Sequence, residues 1–135
     1  MEFNLITKFD KRAQLSKLQR FHTSKLNNDF NKLFVKRDDL IHNQVSGNKW
    51  RKLKWNVIRA LENNCNIIST YGGAYSNHLL ATAALGKDMN LQTRAFVRGD
   101  ELSYTSNHIL QRCHDLNMEL VFLSRNNFKE LKYSS

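Results

Sequence analysis

The chain has 135 residues, with 21 Lys and Arg against 12 Asp and Glu and a formal charge of +9. That length suits one ordinary domain able to bury a core, and no apolar run nears the roughly 20 residues of a membrane helix or the core of a signal peptide. A cytoplasmic protein is therefore expected, without membrane insertion or secretion, and its cations, spread from Lys8 to Lys132, do not single out nucleic acid as a partner.

The opening through Asp29 is polar and weakly patterned. Leu33-Phe34-Val35-Lys36 reads as a short strand, closed by the turn-prone pair Asp38-Asp39. From Trp50 the apolar residues Trp50, Leu53, Val57, Ala60 and Leu61 recur at three- and four-residue steps, which predicts a helix ending at Asn63-Asn64. Asn66 to Tyr71 is β-branched and reads as a strand broken by "GGAYSN". An Ala-rich helix follows from about His78 to Leu85, with Gly86 as its expected stop. Leu91 to Val97 is the next strand, Arg98-Gly99-Asp100 a turn, Asn107 to Leu116 a helix and Met118 to Leu123 a further strand. "NNFKELKYSS" begins another helix, and there the alternation is left unfinished.

Short strands alternating with helices predict an α/β chain with βαβ crossovers and a parallel sheet covered on both faces. No repeat or linker divides residues 1–135. Proline is absent, where average usage would give about seven, so turns must rest on Gly, Asn, Asp and Ser. Cys65 and Cys113 lie far apart, which fits a reducing compartment, with Cys113 in a helical pattern where a small buried thiol is common. His22, His42, His78, His108 and His114 fall at no metal-ligand spacing and read as surface or packing residues, so no metal site is expected. Arg98-Gly99-Asp100 is read as a turn without function.

Two stretches carry chemistry. In "SGNKWRKL" Ser46 is the expected N-cap, which puts Lys49 in the first helical turn, where the positive end of the helix disfavours a protonated amine. Lys52, three residues on, adds a second cation on the same side. A neutral amine can form a Schiff base with an aldehyde; a solvated basic face or a phosphate contact is the alternative. In "TYGGAYSNH" a strand runs through two glycines into a helix capped by Ser76 or Asn77, a place for a carboxylate or phosphate or simply a well-capped turn.

The segments "VKRDDL", "SGNKWRKL", "STYGGAYSNHLLATAALG", "VRGDEL" and "LNMELVFLSR" follow one another in the chain. In that order they closely resemble the amino-terminal part of the 1-aminocyclopropane-1-carboxylate deaminase and D-cysteine desulfhydrase family, from about Leu33 to Arg125. The resemblance implies a partial, truncated tryptophan-synthase-β-like (pyridoxal-phosphate fold type II) three-layer parallel sheet, with residues 1–135 its amino-terminal part and no complete second domain. It also implies pyridoxal 5'-phosphate as cofactor, a small amino acid as substrate and a homodimer for the full-length relative.

Carried over residue by residue, Lys49 would be the Schiff-base lysine and afterwards a carrier of protons. Ser76 matches the family's active-site serine, which contacts substrate and is a candidate nucleophile or proton carrier. Asn77 matches the asparagine that contacts the cofactor ring, and the backbone N–H groups of both would help hold the substrate carboxylate. His78 completes the motif and supports the loop beside the substrate. Lys52 matches a lysine near the Schiff base, while Trp50 and Leu53 read as core. The implied reaction, of the lyase or hydrolase kind, releases ammonia and a 2-oxo acid, with sulfide if the substrate is D-cysteine.

Two departures stand out. Tyr75 occupies the place where cyclopropane-carboxylate deaminases usually have glutamine, which brings the chain nearer the desulfhydrase-like branch. Family members also run well beyond twice this length, and their remainder holds the glycine-rich phosphate loop, the partner of the pyridine nitrogen and further substrate contacts. The chain alone is thus expected to carry the lysine without holding cofactor tightly or turning over substrate. The alternatives are an inactive relative, and a basic nucleic-acid-binding domain using Lys49, Arg51, Lys52, Lys54 and Arg59 with Trp50 and Trp55.

Overall fold

The structure, a computed structural model, describes residues 2–21, 33–45 and 47–134. In chain order these form α1 (Glu2–Ala13), β1 (Leu18–Phe21), β2 (Leu33–Lys36), α2 (Lys49–Glu62), β3 (Ile67–Gly73), α3 (Asn77–Met89), β4 (Gln92–Arg98), α4 (His108–Asp115), β5 (Met118–Leu123) and α5 (Arg125–Tyr133). Short 3-10 turns occur at Asp38–Leu40 and Tyr104–Ser106.

The expected parallel sheet is present as three strands in the order β3-β4-β5, with Thr70 beside Ala95 and Ala95 beside Leu120. The strand predicted at Leu33–Lys36 does not join it. It pairs antiparallel with β1, which the sequence pattern had left in a polar opening, and Leu18 faces Lys36 while Phe21 faces Leu33. Leu18, Phe21, Leu33, Phe34 and Val35 are all exposed in this ribbon. Neither face is buried, so the alternation that normally marks a strand has nothing to record.

The helices cover mainly one face of the sheet. Thr93, Ala95 and Val97 alternate along β4 as buried residues. Ala95, Val97 and Met118 pack with Leu79 and Ala83 of α3 and with Ile109, Leu110 and Cys113 of α4. Both crossovers therefore place their helices on the same side. On the opposite face Tyr71 stacks on Phe96 at 5.2 Å between ring centres, and Phe128 of α5 meets Tyr71 edge-on at 6.1 Å. Among the described helices α5 supplies this second cover, so the sheet carries helices on both faces as expected, α3 and α4 on one and α5 on the other.

A second core lies behind α3. Ile6 of α1, Ile41 and Val45 of the following loop, and Trp50, Leu53 and Val57 of α2 pack against Ala81, Ala84, Leu85 and Met89. The α2 stripe read from the sequence is thus the stripe that packs. The middle of α3, from Leu79 to Gly86, is buried on nearly every side because it sits between the two cores, and its alanines let both neighbours approach closely.

Gly86 does not stop α3. The helix runs on to Met89 and closes at Asn90, whose φ of 55° lies in the left-handed region. A Cβ on Gly86 would stand 2.2 Å from Thr93 Cγ2, so the residue is a helix-to-strand contact point. Asn64 and Asn117 share the left-handed conformation, at φ 53° and 63°. Each helix-to-strand turn leading into β3, β4 and β5 is therefore made by an asparagine, the non-glycine residue that best tolerates this conformation.

Candidate active site

The loop from Ile41 to Asn48 delivers Lys49 to the first position of α2, and it is tied down at several points. Ile41 and Val45 are fully buried. His42 Nδ1 accepts the backbone N–H of Gln44 at 3.1 Å and of Val45 at 3.0 Å, and His42 Nε2 lies 3.2 Å from Asp88 Oδ2 on α3. The Gly47 N–H donates to the Asp38 carbonyl at 3.0 Å. Gly47 itself has φ +62°, a conformation that a Cβ disfavours. Asn48, rather than the expected Ser46, is the N-cap residue of α2, and its side chain makes no capping bond; Ser46 lies outside the described residues. Lys49 still falls in the first turn.

Asp38, read from sequence only as a turn residue, is the charge anchor of this segment. Arg51 donates to both of its carboxylate oxygens, each at 3.0 Å, and the Ser16 hydroxyl also donates to it. Those hydrogen bonds, Arg51's first, hold the Asp38 carboxyl at a pKa of about 2.

Across from this loop is the start of α3. Asn43, Gln44, Gly47, Asn48 and Lys49 line one side of a cleft of about 400 Å³, and Asn77 and Leu80 line the other. Lys49 and Asn77, separated by most of α2 and all of β3 in sequence, are thus brought together. The Lys49 ammonium donates to Asn48 Oδ1 at 3.3 Å. Ser76 is the N-cap residue of α3, but its hydroxyl makes no capping bond, which leaves that oxygen to other tasks. Tyr75 is 74% exposed. The loop itself is anchored by Asn107, which donates from Nδ2 to the Ala74 carbonyl at 3.2 Å and accepts the N–H groups of Ile109 and Leu110.

His78 sits one turn in. Its Nε2 is 3.1 Å from Thr70 Oγ1 on β3. Burial, then the charges of Lys49 and Lys52, hold its imidazole below the ordinary histidine pKa. Both lysines are thus near enough for their charge to act on His78, and the Lys49–Asn77 cleft with these neighbours makes a basic, polar region beyond the carboxyl end of β3. In open α/β sheets that end is where ligands bind. Thr70, His42, Asn107 and Asp38 were not singled out by sequence; only the turn chemistry of His42 and Asn107, each followed by N–H donors two and three residues on, could have signalled them.

The basic stripe of α2 is partly neutralised. Arg51 pairs with Asp38 and Lys54 with Asp10 at 2.6 Å, while Trp50 is buried and donates to Asp10. These pairs remove three of the contacts that a phosphate-and-base surface would use. Both cysteines are free thiols, Cys65 exposed and Cys113 buried, and burial pushes the Cys113 thiol up to about 11. Among the described residues no helix is long and apolar enough to cross a membrane.

A parallel β3-β4-β5 sheet, with a lysine at the start of α2 facing the strand-to-helix loop after β3, defines a partial α/β chain of the tryptophan-synthase-β-like, fold type II class. A crystal structure of an ACC deaminase homologue superposes with a TM-score of 0.67 at 25% identity, covering 87% of this chain and 35% of the other. The bifunctional D-cysteine desulfhydrase/1-aminocyclopropane-1-carboxylate deaminase of Arabidopsis thaliana is 32% identical over 95 residues, 66% of this chain and 24% of that protein. The D-cysteine desulfhydrase of Salmonella paratyphi B is 35% identical over 65 residues, 48% of this chain and 20% of that protein. No protein-family model matches. By sequence and by fold the chain is similar to 1-aminocyclopropane-1-carboxylate deaminase and D-cysteine desulfhydrase proteins, and it spans about a quarter of the length of the curated relatives it matches.

Proposed function

We propose that this chain is the lysine-bearing, amino-terminal part of a pyridoxal-phosphate-dependent deaminase or lyase that acts in the cytoplasm on a small amino acid of the 1-aminocyclopropane-1-carboxylate or D-cysteine type. The products are ammonia and a 2-oxo acid. The observation that carries this reading is the shared cleft of Lys49 and Asn77. A primary amine and a side-chain amide facing one another across about 400 Å³ fit the aldehyde and the ring of the cofactor. Its phosphate is less well served, because the one cation among the residues lining the cleft is Lys49 itself. Tight cofactor binding, substrate turnover and the homodimer are accordingly assigned to the full-length protein.

Within that reading Lys49 Nζ is the group that holds the cofactor and then moves protons at the substrate carbon. When bound, the cofactor supplies an electron sink for that carbon. Asn77 orients the ring, and the N–H groups at the start of α3 meet the substrate carboxylate with the favourable end of the helix. The Ser76 hydroxyl, unused as a cap, is placed to contact substrate. Lys52 and His78 set the charge around the amine: the lowered pKa of His78, from burial first and then from Lys49 and Lys52, favours a neutral ring that adds no further positive charge near Lys49.

The test is borohydride trapping. Purified chain incubated with pyridoxal phosphate and then reduced should carry the adduct on Lys49 by peptide mass spectrometry, and Lys49→Ala should lose it along with the visible absorbance band. An adduct spread evenly over the surface lysines and unchanged in Lys49→Ala would overturn the assignment.

A further inference from the structure

We infer that His42 is a positioning residue, the strap that holds the lysine loop in the shape that aims Lys49 into its cleft. The hydrogen bonds dictate its chemical form. Nδ1 accepts two backbone N–H groups, from Gln44 and Val45, so it carries no proton, and a neutral ring must then have its proton on Nε2. Nε2 is the atom that faces Asp88. The ring thus links the loop's own backbone on one side to α3 on the other, and its side chain is only 15% exposed.

The placement gives the link its consequence. Asp88 lies near the end of α3 and Asn77 at its start, 11 residues apart, which is about 16 Å along the helix. The loop leaves Ile41 at the Asp88 end and reaches Lys49 at the Asn77 end, so His42 fixes where it begins its run beside α3. Asn43 and Gln44, the residues the strap shapes, are themselves walls of the cleft. Without the strap Ile41 and Val45 still bury their side chains and Gly47 still bonds Asp38, but the Gln44 and Val45 N–H groups lose the acceptor that shapes the turn between those anchors. The aim of Lys49 rests on this strap; the cofactor chemistry of Lys49 rests on the reading given above.

The experiment separates the two. In the wild-type chain ¹⁵N NMR of His42 should show an unprotonated Nδ1 and a protonated Nε2; the opposite tautomer would overturn the strap. In His42→Ala the Gln44 and Val45 amides should exchange with deuterium about tenfold faster. In His42→Asn, whose Oδ1 can accept the same two N–H groups as an Asx turn does, protection should return. Trace acetylation with acetic anhydride reads the aim of the amine without any cofactor: the ratio of Lys49 to Lys52 labelling should shift in His42→Ala and recover in His42→Asn. Unchanged amide protection in His42→Ala would refute the strap. Loosened amides with an unchanged labelling ratio would make His42 structural only and overturn the positioning role. If His42→Ala does not fold, the tautomer and the His42→Asn exchange rates still decide. Failure of borohydride trapping in the wild type would count against the proposed function and leave these readouts standing.

Discussion

Gly86→Ala sets two effects against each other, and the structure says which wins. Alanine in a helix interior is favoured over glycine by about 1 kcal/mol. Against that gain, the new Cβ would stand 2.2 Å from Thr93 Cγ2 and 3.0 Å from the Leu91 carbonyl oxygen, where carbon atoms prefer about 3.5–4.0 Å. The neighbours cannot simply withdraw. The Leu91 N–H is bonded to the Gly86 carbonyl at 2.9 Å, and Thr93 is buried in β4. Overpacking of this kind costs typically 1–3 kcal/mol, and a clash of more than 1 Å belongs near the upper end, so the net loss is about 1–2 kcal/mol. For a chain of this size that lowers Tm by about 5 °C. Thermal unfolding followed by circular dichroism measures it, and Gly86→Ala with Thr93→Ser completes a double-mutant cycle. Removing Cγ2 should recover about 1 kcal/mol of coupling. A Tm that rises in Gly86→Ala, or a cycle with no coupling, would show that helix propensity outweighs the contact and that the reasoning is wrong.

Asp38 predicts an acid-sensitive term. Its folded pKa of about 2 lies below the unfolded value near 3.9, so its stabilisation is present above about pH 4 and disappears as pH falls toward 2. Solvent screening limits it to about 1 kcal/mol. Urea unfolding from pH 6 to 2 should show Arg51→Gln weaker than wild type at pH 6 and equal to it at pH 2; curves that stay parallel throughout contradict the assignment. At Asn90, with its φ of 55°, Asn90→Ala should cost about 1 kcal/mol while Asn90→Gly stays within a few tenths. Equal losses in the two variants would mean that the side chain, and not the backbone conformation, matters there.

The alternation from β3 to β5 was legible because each element carries its own period and each boundary its own turn residue. Elements whose stability comes from distant partners were not. β1 is four residues long with both faces exposed, and only its pairing with β2 identifies it. α1 does hold Phe3, Leu5, Ile6 and Phe9 at helical spacings, but a terminal helix of 12 residues has little stability without the core it docks on. Gly86 misled because a glycine near a helix end has two physical explanations, a cap or a contact, and the sequence does not contain Thr93's position in space. At the site, the residue types of Lys49, Ser76, Asn77, His78 and Lys52 were readable. Their meeting was not: that Lys49 and Asn77 line one cleft, and that His42 shapes its wall, depend on how α2, β3 and α3 pack.

The two tryptophans fall on opposite sides of α2: Trp50 is 1% exposed and bonded toward α1 through Asp10, whereas Trp55 is 69% exposed. The chain therefore carries a built-in pair of optical probes beside its lysine. Trp55 emits as a hydrated indole and is open to a dissolved quencher, while Trp50 emits from a shielded site and responds when the first helix leaves. With Trp55→Phe the remaining tryptophan fluorescence would follow the core that α1, the lysine loop and α3 build around Trp50, next door to Lys49, without any label being attached.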